Sequence, residues 1–147
     1  MPKKRILFIA EAATFAHVLR PLVLAKTLDP ARYDIHIAYA KNDLMVGKEF
    51  IFEGTDFTHW EIASQPSSAF LAAMNNGKRL FESATLAAYA KEEIALMERV
   101  KPDLVVGDMR WSLPTSAAVC KVPCAIIQNA YWSPYADPLI FPLPEFD

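Results

Sequence analysis

Apolar positions in this chain fall into runs of two kinds. Ile6 to Ala10, preceded by Lys4-Arg5, is a continuous apolar stretch bounded by charge, as expected of a strand buried on both faces. Further on, Val18, Leu19, Leu22, Val23, Ala25 and Leu28 recur at three- and four-residue intervals. This spacing predicts a helix with Pro21 in its first turn and Asp29-Pro30 as its stop. Asp34–Tyr39 and Phe57–Ile62 alternate and predict two more strands. The turn-rich Ser64 to Ser68 then leads into a short helix carrying Phe70, Leu71 and Met74, which Asn75-Asn76-Gly77 breaks. A longer helix is predicted from about Leu80 to Val100, with Leu86, Tyr89, Ala90, Ile94, Met97 and Val100 as its apolar stripe. Lys91, Glu92, Glu98 and Arg99 face away from that stripe, and the carboxylates of this helix read as a solvated face. Asp103 to Asp108 is the clearest strand signal. A short helix over Ser112 to Val119 follows, and Val122 to Gln128 reads as another buried strand.

Strands alternating with helices predict an α/β, Rossmann-like doubly wound parallel sheet with right-handed crossovers. Such sheets bind ligands at the carboxyl ends of their strands, near the point where strand order reverses. From Asn129 the text changes. Aromatic residues interleave with prolines and no periodicity remains, so residues 1–130 read as the domain and 131–147 as an aromatic, proline-rich tail.

With 147 residues there is room for one ordinary domain with a real core. A net charge of −2 argues against a nucleic-acid partner held by phosphate neutralisation. No apolar run is long enough to span a membrane, and the basic start lacks the apolar length of a signal peptide. Cys120 and Cys124 are too few for a disulfide framework and read as two small buried thiols in a reducing, cytoplasmic setting. They do not amount to a metal site. The four glycines form neither a dinucleotide fingerprint nor a P-loop.

Two residues just beyond strand ends carry the candidate chemistry. His17 opens the first helix, and Asp108 closes the Leu104–Val106 strand. If the first and fourth strands are neighbours, the carboxylate can hold one imidazole nitrogen and leave the other to take a proton from a hydroxyl. The bland alternative has His17 sitting at a helix terminus and Asp108 capping the helix near Ser112. His36 and His59 lie within strands and read as structural. Trp111, Tyr131, Trp132 and Tyr135 follow two strands, where they either line an apolar pocket or cover the sheet edge. The segment from Ser64 to Phe81, with Phe70 and Met74, reads as a pocket wall or as ordinary packing.

The stretch from Ala16 to Leu28 resembles the GHxxPLLALAxxL segment of GT-B-fold glycosyltransferases, in particular the UDP-glycosyltransferase-like family of macrolide and flavonoid glycosyltransferases. Lys101 to Asp108 resembles that family's PDLVVxD strand, and Ser116-Ala117-Ala118 with Val122-Pro123 resembles the A…GVP that follows. Asn129 to Pro134 resembles the loop closing the next strand. Two departures stand out: Ala16 replaces the usual glycine, and three residues (Val18, Leu19, Arg20) rather than two separate the histidine from Pro21.

The resemblance implies the amino-terminal, acceptor-binding half of a GT-B fold. It implies His17 as general base, Asp108 as its partner, and inverting transfer of a sugar from a nucleotide-sugar to a small, partly apolar acceptor. Asn129 falls where the family often has a small polar residue near the donor sugar. Phe70, Met74, Trp111, Tyr131 and Trp132 are the candidate acceptor contacts. The nucleotide-sugar would be a co-substrate held mainly by a carboxy-terminal domain, with no other cofactor, and this chain alone would be inert and prone to self-association. The rival readings are a ligand-binding module without catalysis and a subunit that docks on a separate donor-binding chain.

Overall fold

The computed structural model describes residues 2–129 and Tyr135. Five strands form one parallel sheet: β1 (Lys4–Ala10), β2 (Tyr33–Tyr39), β3 (Thr58–Glu61), β4 (Leu104–Asp108) and β5 (Cys124–Ile127). Their order is β3-β2-β1-β4-β5. The chain steps outward from β1 to β3, then returns to the other side of β1 for β4 and β5. The reversal therefore lies between β1 and β4, where Ala10 pairs with Asp108. Four helices connect the strands: α1 (Phe15–Lys26), α2 (Ser67–Asn75), α3 (Ser83–Val100) and α4 (Leu113–Cys120). A short 3-10 turn covers Glu49–Phe52.

Every residue of β1 from Ile6 to Ala10 is buried, because the strand is covered on both faces. Ile6, Phe8 and Ala10 join Val18, Leu22 and Ala25 of α1 and Ile35 and Ile37 of β2 on one face. Leu7 and Ile9 point the other way, into Leu96, Met97 and Val100 of α3 and Leu113 and Ala117 of α4. Above the carboxyl ends of the strands, Phe70, Phe81, Tyr89 and Met109 pack with Ala13 in a third cluster. This is the Rossmann-like α/β architecture expected from the strand–helix alternation.

Three local expectations need correction. The first helix begins at Phe15, so Pro21 sits inside it rather than in its first turn. Thr14 marks its start without a side-chain capping bond, so no capping signal is available to read in the sequence. The long helix is not uniformly solvated on its charged side, because Glu93 is fully buried. Finally, β5 is not a buried strand: Cys124, Ala125 and Ile126 are exposed at the rim of the sheet, so Cys124 is not a buried thiol and Cys120 is only partly covered. His36 accepts a hydrogen bond from Trp60 Nε1–H at 2.9 Å. His59 packs edge-on against Phe52 and Tyr39, and burial lowers its pKa.

Candidate active site

β4 ends in Gly107-Asp108, and both residues are constrained. A Cβ at Gly107 would lie 2.5 Å from Leu113 Cδ2, so the start of α4 packs directly on its backbone. Asp108 is fully buried, and its carbonyl accepts from the Glu11 amide, which ties the ends of β1 and β4 together. Met109 then turns the chain with φ of 55°, in the left-handed region that a non-glycine residue rarely adopts. Backbone strain of this kind is held only where the surroundings enforce it.

The Asp108 carboxylate faces α1. His17, in the first turn, places Nδ1 2.9 Å from Oδ1. One turn on, Arg20 grips the same carboxylate as a fork, Nε to Oδ2 at 2.7 Å and Nη2 to Oδ1 at 2.6 Å. Positions i and i+3 share a helix face, so both side chains reach one partner. Arg20 Nη1–H also donates to Asn129 Oδ1 at 2.9 Å, just beyond β5. The alternative role for Asp108, as cap of the following helix, is set aside: Ser112 holds the N-cap position of α4 and no side chain caps it.

Beside this group lies a pocket of about 260 Å³ lined by His17, Arg20, Phe70, Met74, Trp111 and Asn129, among others. Its wall is largely apolar, with the ionisable group at one side, a common composition for small-molecule sites. Trp111 is about half exposed and meets Phe81 edge-on at 5.3 Å. Six of the eight candidate residues, His17, Asp108, Phe70, Met74, Trp111 and Asn129, therefore line one cavity. Tyr131 and Trp132, and the tail from 131 apart from Tyr135, lie outside the described residues; Tyr135 is almost fully exposed. A larger groove of about 560 Å³ runs between the carboxyl ends of α3 and α4, at the other end of the strands, with only Glu98 and Lys101 as charged lining. It brings together no comparable chemistry.

A second ionic cluster sits behind the pocket, and the sequence reasoning did not find it. Arg110, fully buried, donates from Nε to Glu93 Oε1 and from Nη1 to Glu11 Oε2, both at 2.7 Å. Nη1 also reaches the Ala63 carbonyl at 2.7 Å, and the guanidinium carbon lies 3.6 Å from the centre of the Tyr89 ring. Ser112 and Ser116 donate to Glu93. Glu11 accepts from the Gln65 amide at 3.0 Å. Burial pushes the Glu11 carboxyl above the ordinary range, with the Arg110 charge working against it. The same burial raises the Tyr89 phenol. Glu93 left a trace in the sequence: it stands four residues from both Tyr89 and Met97, inside the apolar stripe of α3. Among the described residues, no group of three or more His, Cys, Asp or Glu is arranged to hold a metal ion. Among the described residues, no helix is long and apolar enough to cross a membrane.

No protein-family model matches the chain. Over 144 residues, 97% of this chain, it is 42% identical to a PGL/p-HBAD biosynthesis rhamnosyltransferase of Mycobacterium bovis (strain BCG / Pasteur 1173P2). It is 41% identical over 143 residues to an inactive PGL/p-HBAD biosynthesis glycosyltransferase of the same strain. The chain spans about a third of the length of these relatives, 30% of the first and 37% of the second. Among solved structures, it resembles SsfS6, a glycosyltransferase of Streptomyces sp. SF2575. The TM-score is 0.54 at 25% identity, covering 84% of this chain and 38% of that one. By sequence and by fold, the chain is homologous to one part of these larger glycosyltransferases.

Proposed function

We infer that the chain is the acceptor-binding part of an inverting, nucleotide-sugar-dependent glycosyltransferase of GT-B type. The observation that carries this reading is the 2.9 Å contact between His17 Nδ1 and the buried Asp108 carboxylate at the side of an apolar pocket. With the Nδ1 proton donated to Asp108, Nε2 keeps its lone pair. Nε2 takes the proton of an acceptor hydroxyl as that oxygen bonds to the anomeric carbon. The bond from that carbon to the nucleotide's phosphate oxygen breaks with its electron pair, and the configuration inverts. Asp108 stabilises the imidazolium formed. The apolar wall of Phe70, Met74 and Trp111 suits a small, partly apolar acceptor, and the donor nucleotide is held by the part of the enzyme outside this chain.

The test is transfer by the longer protein containing this chain, with a nucleotide-activated rhamnose as the first donor to try, since one relative is a rhamnosyltransferase. A positioned general base contributes ~10²–10⁴-fold, so His17→Ala should lose that much of kcat/KM. Near-wild-type transfer by the variant would remove His17 from the reaction. A second reading, a ligand-binding module without catalysis, is favoured by one observation: a relative 41% identical is named inactive. Acceptor binding by the wild-type longer protein without transfer from any nucleotide-sugar would favour that reading.

A further inference from the structure

Pro21 stands in the second turn of α1 and is buried, as are Val18, Leu22 and Ala25 of the same helix. In a helix interior proline is disfavoured relative to alanine by on the order of a hundredfold. The causes are local. Proline has no N–H, so the carbonyl four residues earlier loses its helical donor, and the ring crowds that same carbonyl. The residue just before a proline is also pushed away from helical backbone angles.

In this chain the carbonyl four residues earlier belongs to His17, and the residue just before is Arg20. These are the two side chains that meet on Asp108, His17 Nδ1 at 2.9 Å and the Arg20 fork at 2.7 and 2.6 Å. Both disturbances therefore land on the residues that build the site. With the two-residue spacing of the motif that this segment resembles, the carbonyl left without a donor would be that of Ala16 instead. A local rule broken at such a place points to function, because sequences otherwise agree with their fold at every level. The start of the helix does not fix the first turn either. Thr14 makes no side-chain capping bond, and the His17 amide reaches only the Thr14 carbonyl, at 3.2 Å.

The displacement at stake is large enough to matter. Sharp bends at proline exceed ~20°, and four residues span roughly 6 Å of helix axis, so straightening such a bend moves the His17 backbone by about 2 Å. The 2.9 Å contact to Asp108 does not survive that, since beyond ~3.5 Å it is no longer a hydrogen bond. Arg20 adjoins the bend and shifts far less.

We propose that Pro21 is a positioning residue: it bends the first turn of α1 so that His17 reaches the carboxylate that Arg20 already holds. The inference rests on the reading of His17 as base, and it adds the residue that aims it.

Crystal structures and urea unfolding of the 147-residue chain, wild type beside Pro21→Ala, test this without donor or acceptor. In the variant the restored amide at position 21 should bond the His17 carbonyl, seen as a ¹⁵N–¹³C coupling across the hydrogen bond that proline cannot show. His17 Nδ1 should stand more than ~3.5 Å from Asp108 Oδ1, with the Arg20 fork still in place. The ratio of folded to unfolded chain should match or exceed that of wild type, because alanine suits a helix interior better. Pro21→Val, which refills the space of the ring, should show the same separation and serves if the alanine variant does not fold. A folded variant that keeps the His17–Asp108 contact overturns the proposal. So does a ratio lowered tenfold or more in both variants, or failure of both to fold, since Pro21 is then a packing residue. Transfer that survives His17→Ala in the longer protein sinks the base itself and leaves these distances as measured, so the two failures are distinguishable.

Discussion

Two arginine–carboxylate clusters stand at the same end of the sheet, two residues apart in sequence, and they are built for different ends. Around Arg110, two fully buried glutamates, a backbone carbonyl and an aromatic face surround the guanidinium, two serine hydroxyls donate to Glu93, and the partly exposed Glu92 lies 3.7 Å from Nη2 at the edge of the cluster. Around Asp108, the arginine is about one-third exposed and the histidine borders the pocket. The buried cluster joins the turns after β1, β3 and β4 to α3, with Arg110 Nε and Nη1 hydrogen-bonded and Nη2 held only by the more distant Glu92 charge. The open one leaves an imidazole beside a cavity. A buried ion pair alone is therefore a poor marker of chemistry; what distinguishes the two is an ionisable group left at an accessible wall.

The comparison makes predictions that differ in kind. The largest effect belongs to the open cluster: His17→Ala should cost transfer by the longer protein ~10²–10⁴-fold while moving the urea unfolding free energy of this chain by less than about 1 kcal/mol. A large stability loss would place His17 among structural residues. In the buried cluster, Arg110→Met leaves two carboxylates buried without their cation and should destabilise by about 3–5 kcal/mol, measured by urea unfolding. A loss under about 1 kcal/mol would mean that water already reaches the glutamates.

A pH series sharpens the contrast. Burial lifts Glu11 above its ordinary value of 4.5, so the folded chain binds that proton more tightly than the unfolded one. Its contribution is full below the ordinary value and is lost as pH climbs through the folded value. Glu11→Gln should therefore show a shallower fall in urea midpoint from pH 4.5 upward than wild type, and equal slopes would contradict the assignment. The smallest effect is expected of Ser116→Ala, which removes one of two hydroxyls from Glu93 and should cost about 1–2 kcal/mol by the same unfolding measurement. No change would show that Glu93 is satisfied without it.

Much of the fold was legible because strands covered on both faces must be written as unbroken apolar runs, as in Ile6–Ala10 and Leu104–Val106. His17 and Asp108 were legible for a related reason: residues just past strand ends gather at one rim once the sheet is parallel. Arg20 was not, because its role depends on which helix face meets β4, and that is decided by packing across a separation of 88 residues. Arg110 and Glu11, 99 residues apart, were hidden in the same way. The start of α1 escaped because no side chain caps it, and the exposure of β5 escaped because apolar composition does not distinguish a rim strand from a central one.

Met109, held in the left-handed region, joins Asp108 on one side to Arg110 on the other. Its own side chain borders the cavity. A guest entering there leans on a floor whose next residue is bolted down by ions instead of resting on compliant hydrocarbon. Such a floor resists yielding to a badly shaped guest.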